Sequence, residues 1–200
     1  MVNTAVLVSG GGSNLLAILR AQQERRLGAA RVMLVISSKA GVKALDHARD
    51  YAVPTEVIER KAFASEDLFQ SALLQALQDA GIQLICLAGY LRHLGPEIIA
   101  AYRGRILNIH PALLPKYGGA GMYGHHVHEA VVKAGETVSG CSVHAVDEEF
   151  DHGPVLARME VPVFISDTPE TLAARVLEQE HLLYPKTIAT FANTLTGVPS

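Results

Sequence analysis

The chain has 200 residues, of which 49% are hydrophobic and 18% are charged, and its formal net charge is −3 at pH 7. This length and composition suit one α/β domain with a sizeable core and exclude a disordered chain. No apolar run reaches the roughly 20 residues that span a bilayer, and the mixed charges do not favour a nucleic-acid partner.

The N-terminus and the cysteines point to a cytoplasmic protein. No basic stretch precedes the short apolar run at residues 4–8, which argues against a secretory signal. Cys86 and Cys141 are the only cysteines, and two cysteines favour reduced thiols over a disulfide framework. We therefore expect a cytoplasmic location, without membrane association.

Apolar, β-branched runs alternate with stretches of helical periodicity along the chain. The runs predict strands at residues 4–8, 31–37, 55–59, 84–88, 105–110, 140–146 and 154–163. The periodic stretches predict helices at residues 13–26, 41–51, 65–80, 96–102 and 127–134, and a long last helix that begins near Pro169. This alternation predicts an α/β fold: a doubly wound, mostly parallel sheet with helices on both faces and an antiparallel pair at the end. We expect residues 1–200 to form a single domain.

A glycine-rich turn, VSGGGSN at residues 8–14, joins the first predicted strand to the first helix. Glycines let a ligand approach the backbone, and the helix N-terminus offers free N–H groups to an anion. The dinucleotide fingerprint is not met, because Leu15 occupies the place of its third glycine, and the P-loop lysine is missing. The turn predicts a compact phosphate site. The alternative is a tight turn in which Ser13 or Asn14 caps the helix.

Asn108 and His110 lie two residues apart in the predicted strand 105–110, so they share one face of the sheet. An amide can donate to a developing oxyanion, and a histidine can move a proton near neutral pH. The pair therefore predicts acyl-transfer chemistry at the carboxyl end of a central strand. A purely structural histidine is the alternative.

Two carboxylates are further candidates. Asp151 lies in the acidic loop DEEFDHGP, and beside His110 it would raise the pKa of the imidazole and fix its tautomer. Glu180 shares a helical stripe with three apolar residues, where it could meet a substrate amine. Solvated surface is the alternative for both positions.

The remaining histidines predict less. His125, His126 and His128 lack the i, i+4 spacing and the further ligands that zinc requires, so we expect no metal site. For His144, the pattern SVHAV favours a hydrogen-bonded residue of the sheet.

Together the motifs resemble the phosphoribosylglycinamide formyltransferase family, which belongs to the folate-dependent formyltransferase superfamily. The resemblance covers about residues 5–190 and rests on VLVSGGGSNL, LICLAGYLRHL, LNIHPALLPKYGG, SVHAVDEEFDHGPV and RVLEQEHLLYP. It implies a formyltransferase fold. It also implies transfer of a formyl group from 10-formyltetrahydrofolate, a co-substrate, to the amine of 5-phosphoribosylglycinamide in purine synthesis, without a metal.

The resemblance also implies residue roles. The catalytic group would be Asn108, His110 and Asp151, and the substrate phosphate would bind at Gly12, Ser13 and Asn14. Glu180 would meet the glycinamide end of the substrate. The folate would contact Leu91, Arg92, His93, Leu94, Asn108, Asp147 and Asp151. The family often has a folate-contacting arginine near the start of the third helix, where this chain has Glu66. His128 lies where the family often has a histidine, and its role stays open.

Other formyl-folate enzymes are competing hypotheses. A formyltetrahydrofolate hydrolase usually has an additional N-terminal domain and methionyl-tRNA formyltransferase a C-terminal one, and we expect neither here. A sugar-nucleotide formyltransferase is harder to exclude, although the phosphate turn argues against it. A non-catalytic nucleotide- or folate-binding module would bind without turnover. We expect small-molecule substrates and a monomer or homodimer.

Overall fold

A computed structural model of the chain describes residues 1–197, and the last three residues of the predicted domain, 198–200, lie outside the described part. The described residues form seven strands: β1 (Val2–Val8), β2 (Ala30–Ser37), β3 (Thr55–Val57), β4 (Leu84–Leu87), β5 (Ile106–His110), β6 (Val138–Ala145) and β7 (Val155–Pro162). Their order in the sheet is β3-β2-β1-β4-β5-β6-β7. The first five strands pair in parallel, whereas β6 pairs antiparallel with both β5 and β7. The predicted fold class is confirmed.

The described residues also form six α-helices, of which five connect strands and the last follows β7: α1 (Ser13–Gln23), α2 (Lys43–Asp50), α3 (Glu66–Asp79), α4 (Pro96–Ala101), α5 (His125–Lys133) and α6 (Pro169–Leu195). Helix α1 ends three residues before the predicted boundary. Arg25 adopts a left-handed conformation (φ 57°), and the N–H of Arg26 returns to the carbonyl of Ala21, which closes the helix. At the start of α6, Thr168 before the helix and Thr171 in its first turn form a capping box, with Pro169 as the first helical residue.

The sheet separates two apolar layers. Alternate residues of β1 show this, since Val6 and Val8 pack with α1, α2, α5 and α6, whereas Ala5 and Leu7 pack with α3 and α4. Both faces of the central strands are therefore buried, as expected for parallel strands. None of the described helices combines the length and the apolar character that crossing a membrane requires.

The strand order creates a natural binding position. From β1 the chain continues outward through β2 and β3 on one side, and later through β4 and β5 on the other. Ligands of open α/β sheets bind beyond the carboxyl ends of strands where the direction of winding changes. The ends of β1, β4 and β5 meet at this place.

Candidate active site

A cavity of about 820 Å³ opens beyond the strand ends. Most of the predicted site residues line it: Asn14, Leu91, Arg92, His93, Leu94, Asn108, His110, Asp147, Asp151 and Glu180. Gly12 and Ser13 do not line the cavity, although they adjoin Asn14 at its edge. The fold thus brings together side chains that are up to 166 residues apart in sequence.

The carboxylate of Asp151 connects the polar side chains at the end of β5. Its Oδ2 atom lies 3.5 Å from His110 Nδ1, and its Oδ1 atom lies 3.3 Å from His144 Nε2. Asn108 Nδ2 lies 3.0 Å from the same nitrogen of His144 and 3.4 Å from Asp151 Oδ1. The predicted proximity of Asp151 to His110 is therefore present in the structure.

The buried imidazole of His110 lies between two acceptors. Its Nε2 atom donates to the carbonyl of Tyr117 at 2.8 Å, so Nδ1 is the nitrogen that exchanges a proton beside Asp151. Burial lowers the pKa of His110, and the Asp151 carboxylate and the Tyr117 carbonyl oppose that shift without cancelling it. The increase due to Asp151 is the one predicted from the sequence, and burial, which the sequence did not reveal, outweighs it.

Asp151 is held by the chain around it. It adopts a left-handed conformation (φ 54°), and its Oδ2 atom accepts from the N–H of Gly119 at 3.1 Å. Burial alone would raise the pKa of Asp151. Hydrogen bonding with His144, the charge of His110 and the Gly119 amide together lower the pKa below its usual value. The carboxylate therefore stays ionised near neutral pH, as a partner for an imidazolium requires.

His144 is a member of this group that the sequence analysis missed. It lies directly opposite Asn108 in the antiparallel pairing of β5 with β6. Its Nδ1 atom lies 3.0 Å from the carbonyl of Ala145, and its Nε2 atom is within reach of both the Asn108 amide and the Asp151 carboxylate. His144 is hydrogen-bonded in the sheet, as predicted, but its partners belong to the site. The register of β5 against β6 was the signal needed to find it.

The glycine-rich turn differs in detail from the prediction. Gly12 itself is the residue before α1, with φ 74°, and neither Ser13 nor Asn14 caps the helix through its side chain. The capping alternative is therefore wrong, and the first amides of α1 stay available to a ligand. A Cβ added to Gly12 would lie 2.6 Å from Ala44 Cβ. Only glycine therefore fits at position 12, because of the close packing against α2 and the left-handed backbone conformation of this residue.

Glu180 joins the turn to α6. Its Oε2 atom accepts from Asn14 Nδ2 at 2.6 Å, and the residue is only 7% exposed. The surface alternative is therefore wrong. Burial raises the pKa of Glu180, and the Asn14 amide partly opposes this. Asn14 Oδ1 is buried without a protein partner among the described residues, which leaves an acceptor next to the turn.

The segment from Leu91 to Leu94 forms one wall of the cavity and is tied to the scaffold through its backbone. The Leu91 N–H donates to Ser9 Oγ at 2.9 Å, and the His93 carbonyl accepts from Gln70 Nε2 at 3.0 Å. The loop at residues 147–151 comes close to this wall, because the rings of His93 and Phe150 are 4.8 Å apart. A flat ligand held between wall and loop would meet both backbone groups and rings.

Glu66 and three histidines complete the predicted set. Glu66 begins α3 and forms an ion pair with Arg60, with 2.6 Å between Oε2 and Nε, and it does not line the cavity. His125 and His128 line the cavity, whereas His126 does not. Within residues 1–197 no group of three or more histidine, cysteine or carboxylate side chains is placed to hold a metal.

Comparison with known proteins places the chain in a family. The formyl transferase family matches residues 2–188. The phosphoribosylglycinamide formyltransferase of Escherichia coli (strain K12) is 38% identical over 192 residues, which is 96% of this chain and 88% of that protein. The crystal structure of glycinamide ribonucleotide transformylase 1 from Symbiobacterium toebii has a TM-score of 0.91 at 39% identity, covering 97% of this chain and 89% of that one.

A longer relative shares the same region. The trifunctional purine biosynthetic protein adenosine-3 of Drosophila pseudoobscura pseudoobscura is 42% identical over 190 residues, which is 94% of this chain but 14% of that protein. The chain therefore belongs to the formyl transferase family. Within that family its relatives over most of both chains are phosphoribosylglycinamide formyltransferases, and the family predicted from the sequence is confirmed.

Proposed function

We propose that residues 1–200 form a single formyltransferase domain that transfers a formyl group from 10-formyltetrahydrofolate to the amine of 5-phosphoribosylglycinamide. The observation that carries this proposal is the convergence of Asn108, His110 and Asp151 in one cavity. The same cavity is bordered by a helix N-terminus suited to a phosphate. We place the reaction in purine synthesis in the cytoplasm, carried out by a monomer or homodimer.

Direct transfer accounts for the three side chains. The neutral amine of the substrate attacks the formyl carbon, and the carbonyl oxygen becomes an oxyanion. One hydrogen of Asn108 Nδ2 points along the longer, 3.4 Å contact to Asp151 Oδ1. This hydrogen reorients during the reaction and donates to the oxyanion. One such donor is worth about 10²–10³ in turnover.

Proton transfer completes the reaction. The attacking nitrogen loses a proton, and N10 of the folate gains one. The bond between the formyl carbon and N10 then breaks and releases tetrahydrofolate and the formylated amine. His110, protonated at Nδ1, supplies the proton to N10. Asp151 stabilises the imidazolium, receives the proton of the amine through water and passes it to His110 Nδ1, 3.5 Å away, so that both groups return to their starting states. Acid–base assistance of this kind is worth about 10²–10⁴ in rate. No covalent enzyme intermediate and no metal are needed.

The phosphate of 5-phosphoribosylglycinamide binds at Gly12, Ser13 and Asn14, where the first turn of α1 presents unpaired amides. Glu180 lies next to this turn and meets the amine end of the substrate. Its hydrogen bond to Asn14 couples recognition of the two ends. A substrate N–H that donates to the buried carboxylate offsets the free energy that its desolvation costs.

The folate lies against the opposite wall. The backbone of Leu91, Arg92, His93 and Leu94 binds the pterin, with Asn108, Asp147 and Asp151 at its reacting side. Two contacts fix the carboxylate of Asp147: its Oδ1 atom accepts from the N–H of Glu149 at 3.0 Å, and its Oδ2 atom lies 3.1 Å from His152 Nδ1. Glu66 cannot replace the arginine of the family, because it is an anion paired with Arg60.

A formyl-transfer assay tests the proposal. Purified chain is supplied with 10-formyltetrahydrofolate and either 5-phosphoribosylglycinamide, other primary amines or water. Among the acceptors, we expect turnover only with 5-phosphoribosylglycinamide. In Asn108→Ala we expect kcat to fall by a factor of about 10²–10³. Binding of both molecules without turnover would favour a binding module, and faster transfer to a sugar-nucleotide amine would favour the other enzyme class.

A further inference from the structure

The groups that hold His110 and Asp151 belong to one short segment, residues 117–119, of which Gly119 lines the substrate cavity and Tyr117 does not. The Tyr117 carbonyl accepts from His110 Nε2 at 2.8 Å, and two residues later the Gly119 N–H donates to Asp151 Oδ2 at 3.1 Å. Between them Gly118 leaves no room, since an added Cβ would lie 2.6 Å from Leu114 Cδ2. The position of residues 117–119 therefore sets the position of both side chains.

Tyr117 is anchored away from the site. Its backbone is left-handed (φ 57°), which a tyrosine adopts only when its surroundings impose it. Its hydroxyl donates to Glu136 Oε1 at 2.9 Å, and Lys116 Nζ donates to the same oxygen at 2.8 Å. Glu136 lies between α5 and β6, so this bond ties the segment to a different part of the fold.

Tyr117 and Glu136 do not line the substrate cavity. They line a separate cavity of about 330 Å³, together with Lys116 and Glu160. Any effect that they have on turnover must therefore pass through His110 and Asp151.

We infer that the Tyr117–Glu136 hydrogen bond positions the proton-transfer pair, by holding residues 117–119 against His110 and Asp151. The inference rests on the proposed function for its catalytic meaning. Tyr117 and Glu136 are positioning residues. The groups that face His110 are the Asp151 carboxylate and the Tyr117 carbonyl, which raise its pKa, and His144, which lowers it. His128 of α5 is also close enough to interact electrostatically with His110.

Three variants and two matched controls test this. Tyr117→Phe removes only the hydroxyl, Glu136→Ala removes its acceptor, and the double variant removes both. We expect kcat to fall about three- to tenfold in each single variant, as for the loss of one net hydrogen bond, and no further in the double variant. KM for both substrates stays within about twofold, because neither residue touches them. A nuclear magnetic resonance titration of His110 shows a lower pKa in Tyr117→Phe, since the carbonyl that raises it is displaced.

The controls are Tyr51→Phe, at the end of α2, and Glu160→Ala, in the same minor cavity, and both keep wild-type kcat. Wild-type kcat and an unchanged His110 titration in Tyr117→Phe and Glu136→Ala would overturn the inference. Multiplicative losses in the double variant would also overturn it. If the wild-type chain transfers no formyl group, the proposed function fails, and the His110 titration in the variants still decides the positioning role.

Discussion

The charge of His110 results from opposing influences of its neighbours. Burial favours the neutral imidazole, whereas the Asp151 carboxylate 3.5 Å from Nδ1 favours the imidazolium. Because Nε2 is bound to the Tyr117 carbonyl, the proton in question is the one on Nδ1. The Asp151 carboxylate therefore increases the fraction of the enzyme that holds a transferable proton, although burial has the larger effect on the pKa of His110.

At this scale we predict that Asp151→Asn keeps the shape of the site but lowers the pKa of His110 further, because the stabilising charge is lost. We expect kcat to fall by about 10²–10⁴. In His110→Ala/Asp151→Asn the loss is far smaller than the product of the two single losses, since the residues act as a unit. Kinetics of the four proteins and a nuclear magnetic resonance titration of His110 are the measurements.

The exposed carboxylate at the end of α2 provides the control, and Asp50→Asn keeps wild-type kinetics. Strictly multiplicative losses, together with an unshifted His110 pKa, would show that Asp151 and His110 do not cooperate.

At the scale of the element, the turn into α1 assigns different tasks to adjacent glycines. A Cβ on Gly11 would meet nothing within 4 Å, whereas a Cβ on Gly12 would lie 2.6 Å from Ala44. Gly12 also has φ 74°, a conformation that costs other residues about 1–2 kcal/mol. Gly11 thus leaves space for a ligand, and Gly12 permits the packing of α1 on α2.

We therefore predict that Gly11→Val lowers the affinity for 5-phosphoribosylglycinamide by about tenfold or more, equivalent to about 1.4 kcal/mol, by crowding the phosphate. The affinity for the folate and the unfolding midpoint stay at wild-type values. Gly12→Ala mainly lowers the free energy of unfolding. Calorimetry with each ligand and chemical denaturation separate the two effects, and an unchanged ribonucleotide affinity in folded Gly11→Val would contradict the phosphate assignment.

At the scale of the whole molecule, the site depends on a sheet that is buried on both faces. The fully buried Tyr184 of α6 shares its hydroxyl hydrogen between the carbonyls of Leu87, the last residue of β4, and Leu107, near the start of the neighbouring β5, with 3.0 Å to each. This holds α6, and with it Glu180, against the strand that carries Asn108 and His110. The rigid scaffold keeps side chains of distant elements within reach of one substrate.

Buried histidines at this site also link stability to pH. His128 is 5% exposed, and burial, then His125 and His110, lower its pKa to about 4. The unfolded chain, with a pKa of about 6.5, takes up this proton first as the pH falls. His128 therefore contributes up to about 3 kcal/mol of stability above pH 6.5, and this contribution is lost as the pH falls towards 4.

We predict that His128→Asn lowers the dependence of the unfolding free energy on pH between pH 7 and 4. Denaturant titrations of both proteins at each pH provide the measurement. His110 and His181, whose pKa values are also lowered, remain in the variant, so the difference between the two curves isolates His128. Parallel curves would contradict the lowered pKa.

The sequence by itself determined the local elements and the chemical types. Apolar, β-branched runs predicted the seven strands and helical periodicity predicted the six α-helices found among residues 1–197, because both patterns follow from local backbone geometry. The same local rules predicted that Asn108 and His110 lie on one face of their strand. They also predicted a phosphate-binding turn at Gly12. Only the ends of elements shifted, as at Arg25, where a left-handed residue closes α1.

The tertiary structure alone decided which distant groups meet and how their pKa values change. The register of β5 against β6 placed His144 opposite Asn108, and the packing of α6 on α1 placed Glu180 against Asn14. Burial outweighed the increase in the His110 pKa that Asp151 provides, and the desolvation cost could not be predicted because it depends on the surrounding atoms and not on residues adjacent in sequence. The backbone of Tyr117 became part of the site for the same reason: any residue has a carbonyl, so only the fold decides where one points.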